Sequence, residues 1–494
     1  MTSSPTLRVS SLRSFKLFCD RGEPLEAPHK NVKSLRLKDS HEMELNDILE
    51  DVPDYREFLT VDELNRSSRK LAEEYRHVDL LHVGSSTEGE PIYALRIEGG
   101  LRKALLFGFP HPNEPIGSMT LEYVSRRLAE DADLRRELGY TWYIIKCIDP
   151  DGARLNEGWF KGEFSPLKYA LNYYRPPGKN QVEWTFPVDY KTLHFHSPLP
   201  ETRALMRLID EHHPLFLYSL HNAGFCGVYF YLGEEAPTIY PKLHALVRRE
   251  GLPLHMGEPE TPYIEKLDDA IFKMFGVEES YDFIERTTGK DPATIIENGT
   301  SSHGYLRRVC DGFTLVCEMP YYYDERVGDN SPSDISRREA VLESIRFSEE
   351  VYGFLKPRFE AIRDKADPTT RLFASVSDYI DNFEKRMEPR KRHAETSPEY
   401  EGTATVAQAF DSLVARKFSN MLRMGMVLRV VDQVLKTEPS REVEKIRGEI
   451  YGKILEMNRE LQREAKIEVI PIRKLVRVQL GSALIVADYL KKRK

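Results

Sequence analysis

Residues 103–128 read KALLFGFPHPNEPIGSMTLEYVSRRL, and this stretch decides the fold. An apolar run ends at Phe109, Pro115 suits the first turn of a helix, and the apolar spacing beyond it is helical. A strand that feeds a helix through a short turn is the unit of an α/β sheet covered on both faces. The turn holds His111 and Glu114. At the carboxyl end of a sheet strand such a turn opens into the crevice where α/β proteins hold ligands, and there an imidazole and a carboxylate three residues apart can converge on one cation.

The same rhythm extends in both directions. Upstream, the apolar positions from Asp54 to about Tyr75 predict an amphipathic helix, followed by short strands at LLHVG (80–84) and PIYALRI (91–97). Downstream lie TWYIIKC (141–147), a helix from Pro200 to about His212, LFLYSL (215–220) and FTLVC (313–317). Between them, Asp149 to Leu199 is irregular and rich in Pro, Gly and aromatic residues. Loops of that length are usually functional.

After about Ser331 the texture becomes helical, over 334–364, 371–388, 404–436 and 439–466, with a short strand expected at KIEVIPI (466–472) and a linker at EPRKRHAETSPEYEGT (388–403). The expected organisation is an N-terminal extension (1–45), an α/β catalytic domain with a mixed, mostly parallel twisted sheet flanked by helices (46–334), and an α-helical C-terminal domain (335–494). The role of that last domain, and any protein partner it has, is not written in its pattern. Its Met421–Leu428 cluster reads as core packing and its KKRK ending as a solvated tail.

Composition narrows the function classes. In 494 residues, 71 Lys and Arg against 79 Asp and Glu give a net charge of −8, which speaks against nucleic acid as the main partner. Five cysteines, odd in number and widely spaced, form neither a disulfide framework nor a thiolate zinc site. The first residues lack a cleavable apolar leader, and no run approaches about 18 apolar residues. A cytoplasmic protein that does not cross a membrane is expected.

A third ligand should come from another strand end, and His221 follows the 215–220 strand directly. A base is needed beside it, and Glu318 ends the FTLVC run. Two His and one Glu suit a catalytic zinc with an open position for water. By contrast, His194 and His196 show no partner at ligand spacing, and His212 and His213 end a helix.

The set resembles the zinc metallocarboxypeptidases, the carboxypeptidase A-like family, from about Tyr55 to Pro320. The resemblance is carried by GSSTEGEPIYALRI (84–97), by His111 and Glu114, and by the Asp149-Pro150-Asp151-Gly152 turn. It continues through Pro200-Glu201-Thr202, the 215–221 strand with its histidine, and the final strand with Glu318. It implies one Zn2+ per chain on His111, Glu114 and His221, and Glu318 as general base and proton shuttle. An arginine after the Asp-Pro-Asp-Gly turn should stabilise the oxyanion, either Arg154 or Arg175, with Arg154 nearer that turn. The family's Asn-Arg anchor for a substrate carboxylate has as its counterpart Glu183-Trp184, which predicts poor turnover of free C-terminal carboxylates. Tyr305 lies in the region of the family's mobile tyrosine. The expected activity is therefore zinc-dependent hydrolysis of a peptide or peptide-like amide. The alternatives are an amidase or deacylase for a modified amino acid or cell-wall fragment, and an inactive scaffold whose helical half binds a partner.

Overall fold

The apolar runs assemble into one mixed sheet. In the computed structural model, which describes residues 47–493, the first four strands are β1 (Val78–Ser85), β2 (Pro91–Ile97), β3 (Arg102–Phe107) and β4 (Tyr140–Ile145). A separate hairpin comes next, β5 (Val188–Tyr190) with β6 (Leu193–Phe195). The main sheet resumes with β7 (Phe216–Phe225), β8 (Tyr229–Leu232), β9 (Lys266–Asp268), β10 (Ile271–Lys273) and β11 (Phe313–Tyr323). A second small pairing joins β12 (Pro332–Ser336) to β13 (Thr403–Thr405), and β14 (Glu468–Val469) adds onto the end of β11. The spatial order is β1-β2-β4-β3-β7-β11-β8-β10-β9. Its central four strands, β4, β3, β7 and β11, run parallel, while β1, β2 and the β8–β11 and β9–β10 pairs are antiparallel.

Alternation along each strand sends side chains to opposite faces. Leu105, Phe107, Tyr143, Ile145 and Leu217 pack beneath Leu205, Leu208 and Ile209 of the Pro200–His212 helix. The other face is covered by the Ile116–Glu130 helix and by the C-terminal Ile472–Lys492 helix. There the Tyr140 hydroxyl donates to the Ala487 carbonyl at 3.0 Å and the Tyr218 hydroxyl to that of Gln479 at 3.2 Å. The first of these helices lies so close that a Cβ on Gly117 would sit 2.6 Å from the Leu220 Cβ.

Several boundaries differ from those expected. The helix expected from Asp54 runs Val61–Glu74 instead, because Thr60 and Glu63 form a capping box that starts it later than the apolar spacing implied. The segment 388–403 is not a linker. The Arg371–Thr396 helix takes up its first part and a 3-10 turn, Pro398–Tyr400, follows before β13, since buried Ala394 and Tyr400 pack on Val341 and Ile345 and override the polar composition. The 466–472 strand shrinks to Glu468–Val469. The chain then enters the Ile472–Lys492 helix, which is absent from the expected elements and is largely buried along its length. The N-terminal extension expected over 1–45 lies outside the described residues.

Among the described residues, those from Leu49 onward form one compact unit. The change of texture near residue 335 is thus a change of secondary structure within one compact unit. Arg429 donates to the carbonyls of Leu155, Asn172 and Tyr173 at 2.8–2.9 Å, and a Cβ on Gly425 would overlap the Ala170 carbonyl. No helix of the described residues is long and apolar enough to cross a membrane.

Candidate metal centre and pocket

Three neighbouring strands, β3, β7 and β11, bring the candidate ligands and base together. β3 ends at Phe107, and Phe109, held at φ 55°, turns the chain so that His111 and Glu114 face back over the sheet edge. A bulky residue in the left-handed region is strained, and such strain concentrates at functional sites. His221 lies inside β7, one residue beyond the strand expected, and Glu318 lies inside β11. The two are register partners on adjacent parallel strands, so both side chains project from the same face.

Ligand atoms of His111, Glu114 and His221 all lie within 4.8 Å of one another, and all three residues are buried. His221 Nδ1 is 3.1 Å from Glu114 Oε2 and 3.7 Å from Glu318 Oε1. His111 Nδ1 is buried and makes no hydrogen bond, and the equally buried Glu114 Oε2 has His221 Nδ1 as its near neighbour. Buried polar atoms are rarely left so. An orphaned imidazole nitrogen and a carboxylate oxygen met only by the neighbouring imidazole are what a bound cation would satisfy.

The electrostatics agree. Burial, with the Arg175 charge and His221, pulls His111 well below the ordinary imidazole range, which keeps it a neutral ligand. Burial alone would lower His221 too, but the carboxylates of Glu114, Glu318 and Glu183 carry it up to about 9. That is the signature of a site whose net field favours a positive charge. Burial raises Glu318 well above the carboxylate range, with Glu260 and Glu114 adding to it and His221 and Arg175 opposing.

A hydrogen-bond chain orients His221 from behind. The Ser219 hydroxyl donates to Glu183 Oε2 at 3.2 Å and lies 2.8 Å from His221 Nε2. A hydroxyl has one proton, so Nε2 carries a hydrogen toward Ser219, and Nδ1, facing Glu114, is the nitrogen that would give up its proton to hold a metal. Glu183 also accepts from the Ser302 amide and hydroxyl, at 3.1 and 2.7 Å. Gln479, from the C-terminal helix, donates to the carbonyls of His221 at 2.9 Å and Cys317 at 3.4 Å, and its own oxygen accepts from Thr120 at 2.9 Å.

Residues 64–252 match the model of the zinc carboxypeptidase family. The resemblance to the zinc carboxypeptidase family holds. The matched segment contains His111, Glu114 and His221, and ends before Glu318 and the helical half. Among solved structures, carboxypeptidase A from Helicoverpa armigera aligns at 16% identity over 58% of this chain and 72% of that one, with a TM-score of 0.34. A metallo-carboxypeptidase from Pseudomonas aeruginosa aligns at 17% over 53% and 60%, with a TM-score of 0.31. Bovine thrombin-activatable fibrinolysis inhibitor, in complex with a tick carboxypeptidase inhibitor, aligns at 12% over 52% and 86%, with a TM-score of 0.32. No curated protein matches the chain.

The remaining candidates separate. Arg154 is not in the pocket; its guanidinium is held outside by Asp62 at 2.8 Å and Glu90 at 3.1 Å. Arg175 is in the pocket, its Nη1 3.1 Å from Glu114 Oε1, and Ser375 of the helical half fixes its backbone carbonyl at 3.0 Å. Glu183 sits at the pocket but its carboxylate is committed to Ser219 and Ser302, so it neither anchors nor repels a substrate carboxylate directly. Trp184 lines the pocket against Phe275, with ring centroids 5.9 Å apart. Tyr305 does not reach it; its hydroxyl is tied to Asp210 at 2.8 Å. His194 and His196 do have a partner, Asp189, brought to them across the β5–β6 hairpin at 2.7 and 3.0 Å, but all three are exposed.

The pocket is a cavity of about 710 Å³, a size suited to a small ligand or a few peptide residues. Its floor is the His-Glu-His set with Glu318, and one wall comes from the Arg371–Thr396 and Arg416–Thr437 helices through Tyr379, Phe383, Leu422 and Met426. The Met421–Leu428 cluster is mostly packed inside, as expected, yet Leu422 and Met426 also face this cavity.

Proposed function

We propose that the chain is a zinc metallocarboxypeptidase that hydrolyses an amide bond in a peptide or peptide-like substrate. The observation that carries the reading is the buried convergence of His111, Glu114 and His221 beside Glu318, the register partner of His221. Two imidazoles and a carboxylate, set among further carboxylates whose field favours a positive charge, fit Zn2+. When bound there, zinc supplies Lewis-acid polarisation and lowers the pKa of water to about 7.

The chain's own groups do the rest. Glu318, packed among other carboxylates, takes the proton of the attacking water at a carboxylate oxygen and passes it to the leaving nitrogen. Arg175 stands beside Glu114 as a fixed cation for the charge that develops on the substrate carbonyl oxygen. Ser219 and Glu183 hold the His221 ring in place.

The test is Glu318→Gln, assayed on a peptide library with metal content measured alongside. The expected result is full zinc occupancy with peptide cleavage lost by several orders of magnitude. A parent protein that binds no zinc, or a variant that cleaves within a few-fold of the parent, would refute the reading.

A further inference from the structure

Many arginines of the chain are paired with a carboxylate, but three that face the pocket are not. Arg390 lies on the Arg371–Thr396 helix, and Arg416 and Arg423 lie two turns apart on the Arg416–Thr437 helix, on one face of it. Among the described residues none of the three makes an ion pair within 4 Å. Arg416 Nε meets only the Ser344 hydroxyl at 3.1 Å, and Arg423 Nη1 meets the Asn420 side-chain oxygen at 3.3 Å while its guanidinium lies over the Tyr379 ring at 5.5 Å.

The neighbouring acids do not balance them. Asp378 is gripped by Arg386 through both oxygens, and Glu258 by Arg337 at 2.7 Å. Asp411, on the π-helical turn Asp411–Ala415 that leads into Arg416, acts on Arg416 and Arg390 without pairing to either. Around the trio itself three guanidiniums thus face one unpaired carboxylate; Glu260, which also lines the pocket and accepts from the Tyr229 hydroxyl, acts on Glu318 and Arg175 at the floor. The charge of Arg390, with burial, pulls Arg416 down to about 9, and burial lowers Arg390 as well. Arginine keeps its charge at neutral pH, so the repulsion stands in the free protein. Tyr173 feels both Arg175 and Arg423, which joins the trio to the Arg175 end of the floor. Unneutralised guanidiniums enclosed in a cavity favour an anion that supplies the missing hydrogen-bond acceptors.

We infer that Arg390, Arg416 and Arg423 form a subsite for the side-chain carboxylates of an acidic peptide whose amide bond is presented to the His111, Glu114, His221 and Glu318 floor. The inference deepens the proposed amide hydrolysis and rests on it for the bond cleaved. It is independent of it for the ligand bound. The helical half then contributes specificity that the family-matched segment, ending at residue 252, does not contain.

The experiment uses the full chain carrying Glu318→Gln, so that peptides bind without turnover. Fluorescence anisotropy compares a labelled peptide ending in three glutamates with its glutamine counterpart, each with a free and an amidated C-terminus. The glutamate peptides should bind at least about tenfold more tightly whichever terminus they carry, and more weakly as salt rises. Arg390→Gln, Arg416→Gln and Arg423→Gln should each weaken them by about tenfold or more while leaving the glutamine peptides unchanged. Removing one charge from a repelling cluster should also leave the melting temperature of the free protein equal or higher. A variant that unfolds would mark its arginine as a structural element and overturn the assignment for that residue, the other two variants still testing the subsite. Equal binding of glutamate and glutamine peptides, or a preference set by the free C-terminus alone, would overturn the inference. So would tight competition by inorganic triphosphate without any glutamate preference, which would assign the site to phosphate. Cleavage is measured separately on the parent, so a subsite that binds in a protein that does not cleave would count against the hydrolase and not against the subsite.

Discussion

Replacing Ser219 by Ala tests the chain of groups behind His221. Ser219 is fully buried and has two partners, His221 Nε2 at 2.8 Å and Glu183 Oε2 at 3.2 Å. Alanine removes both at once, and the space of one hydroxyl oxygen leaves no room for a bridging water. His221 Nε2 and Glu183 Oε2 become unsatisfied buried groups at about 1–3 kcal/mol each, so the metal-free protein should lose about 2–6 kcal/mol of stability, read as a lower urea midpoint. The imidazole also loses the partner that fixes its tautomer. Outer partners of this kind are worth about 10–100-fold in metal affinity, which is about 1.4–2.7 kcal/mol. Competition against a chelator of known affinity should therefore show zinc held about 10–100-fold more weakly. Ser302→Ala is the control, because it removes a hydrogen bond to Glu183 Oε1 without touching His221; it should lower stability and leave zinc affinity alone. Zinc affinity in Ser219→Ala within two-fold of the parent would show that Ser219 does not set the His221 tautomer.

The geometry sets three further outcomes. Arg175→Ala should lower kcat by about 10²–10³, whereas Arg154→Ala should leave kcat/KM within about two-fold, since its partners are Asp62 and Glu90 outside the pocket; steady-state kinetics on one peptide decides between them. Gly425→Val should force the Arg416–Thr437 helix off the Ala170 carbonyl, at about 1–3 kcal/mol or more, seen as a lower melting temperature with a single transition. Burial pushes Asp149 up to about 7 against the pull of Arg371, while the unfolded carboxyl titrates near 4. The native state therefore holds the proton more tightly, stability falls as pH rises from about 4 to 7, and Asp149→Asn should flatten that slope in urea titrations at pH 5 and 8.

The parts of the site that were legible in the sequence share one property: they directly follow apolar runs whose period and flanks are local, although β7 and β11 extend past His221 and Glu318. His111 and Glu114 follow β3 through a Pro-bounded turn, His221 caps a continuous apolar run, and Glu318 ends another. Their convergence needed only the rule that parallel strands present their carboxyl ends to one crevice. Arg154 is the nearer of the two arginines to the Asp-Pro-Asp-Gly turn in sequence, and Arg175 is the nearer to the metal centre in space. The fold of the irregular stretch after Asp149 makes that exchange, and it carries no periodicity to read. Glu183 shows the same limit from the other side. Its place in the chain matched a substrate anchor, but its direction is set by Ser302, more than a hundred residues on, and no local signal carries that.

The helical half was opaque for a different reason. Its helices are visible as period, yet period says which face is buried and not against what. Buried positions on the Arg416–Thr437 helix run nearly all round it, because it is covered by the Arg441–Glu464 helix on one side and by the Pro166–Asn172 helix on the other. A helix so enclosed reads as plain core. The signal that it also lines a functional cavity lies in the residues that break the apolar pattern: Arg416 and Arg423 recur at a helical interval among buried neighbours, and Arg390 interrupts the neighbouring helix beside a proline. Gln479 is the same kind of exception, a fully buried amide in an apolar helix, and it braces the backbones of His221 and Cys317. A charged or amide side chain inside an otherwise apolar helix costs stability unless something meets it. For Gln479 that partner is the sheet beneath the metal ligands. For Arg390, Arg416 and Arg423 no described residue supplies a carboxylate within 4 Å, and a ligand with carboxylates is what would complete them.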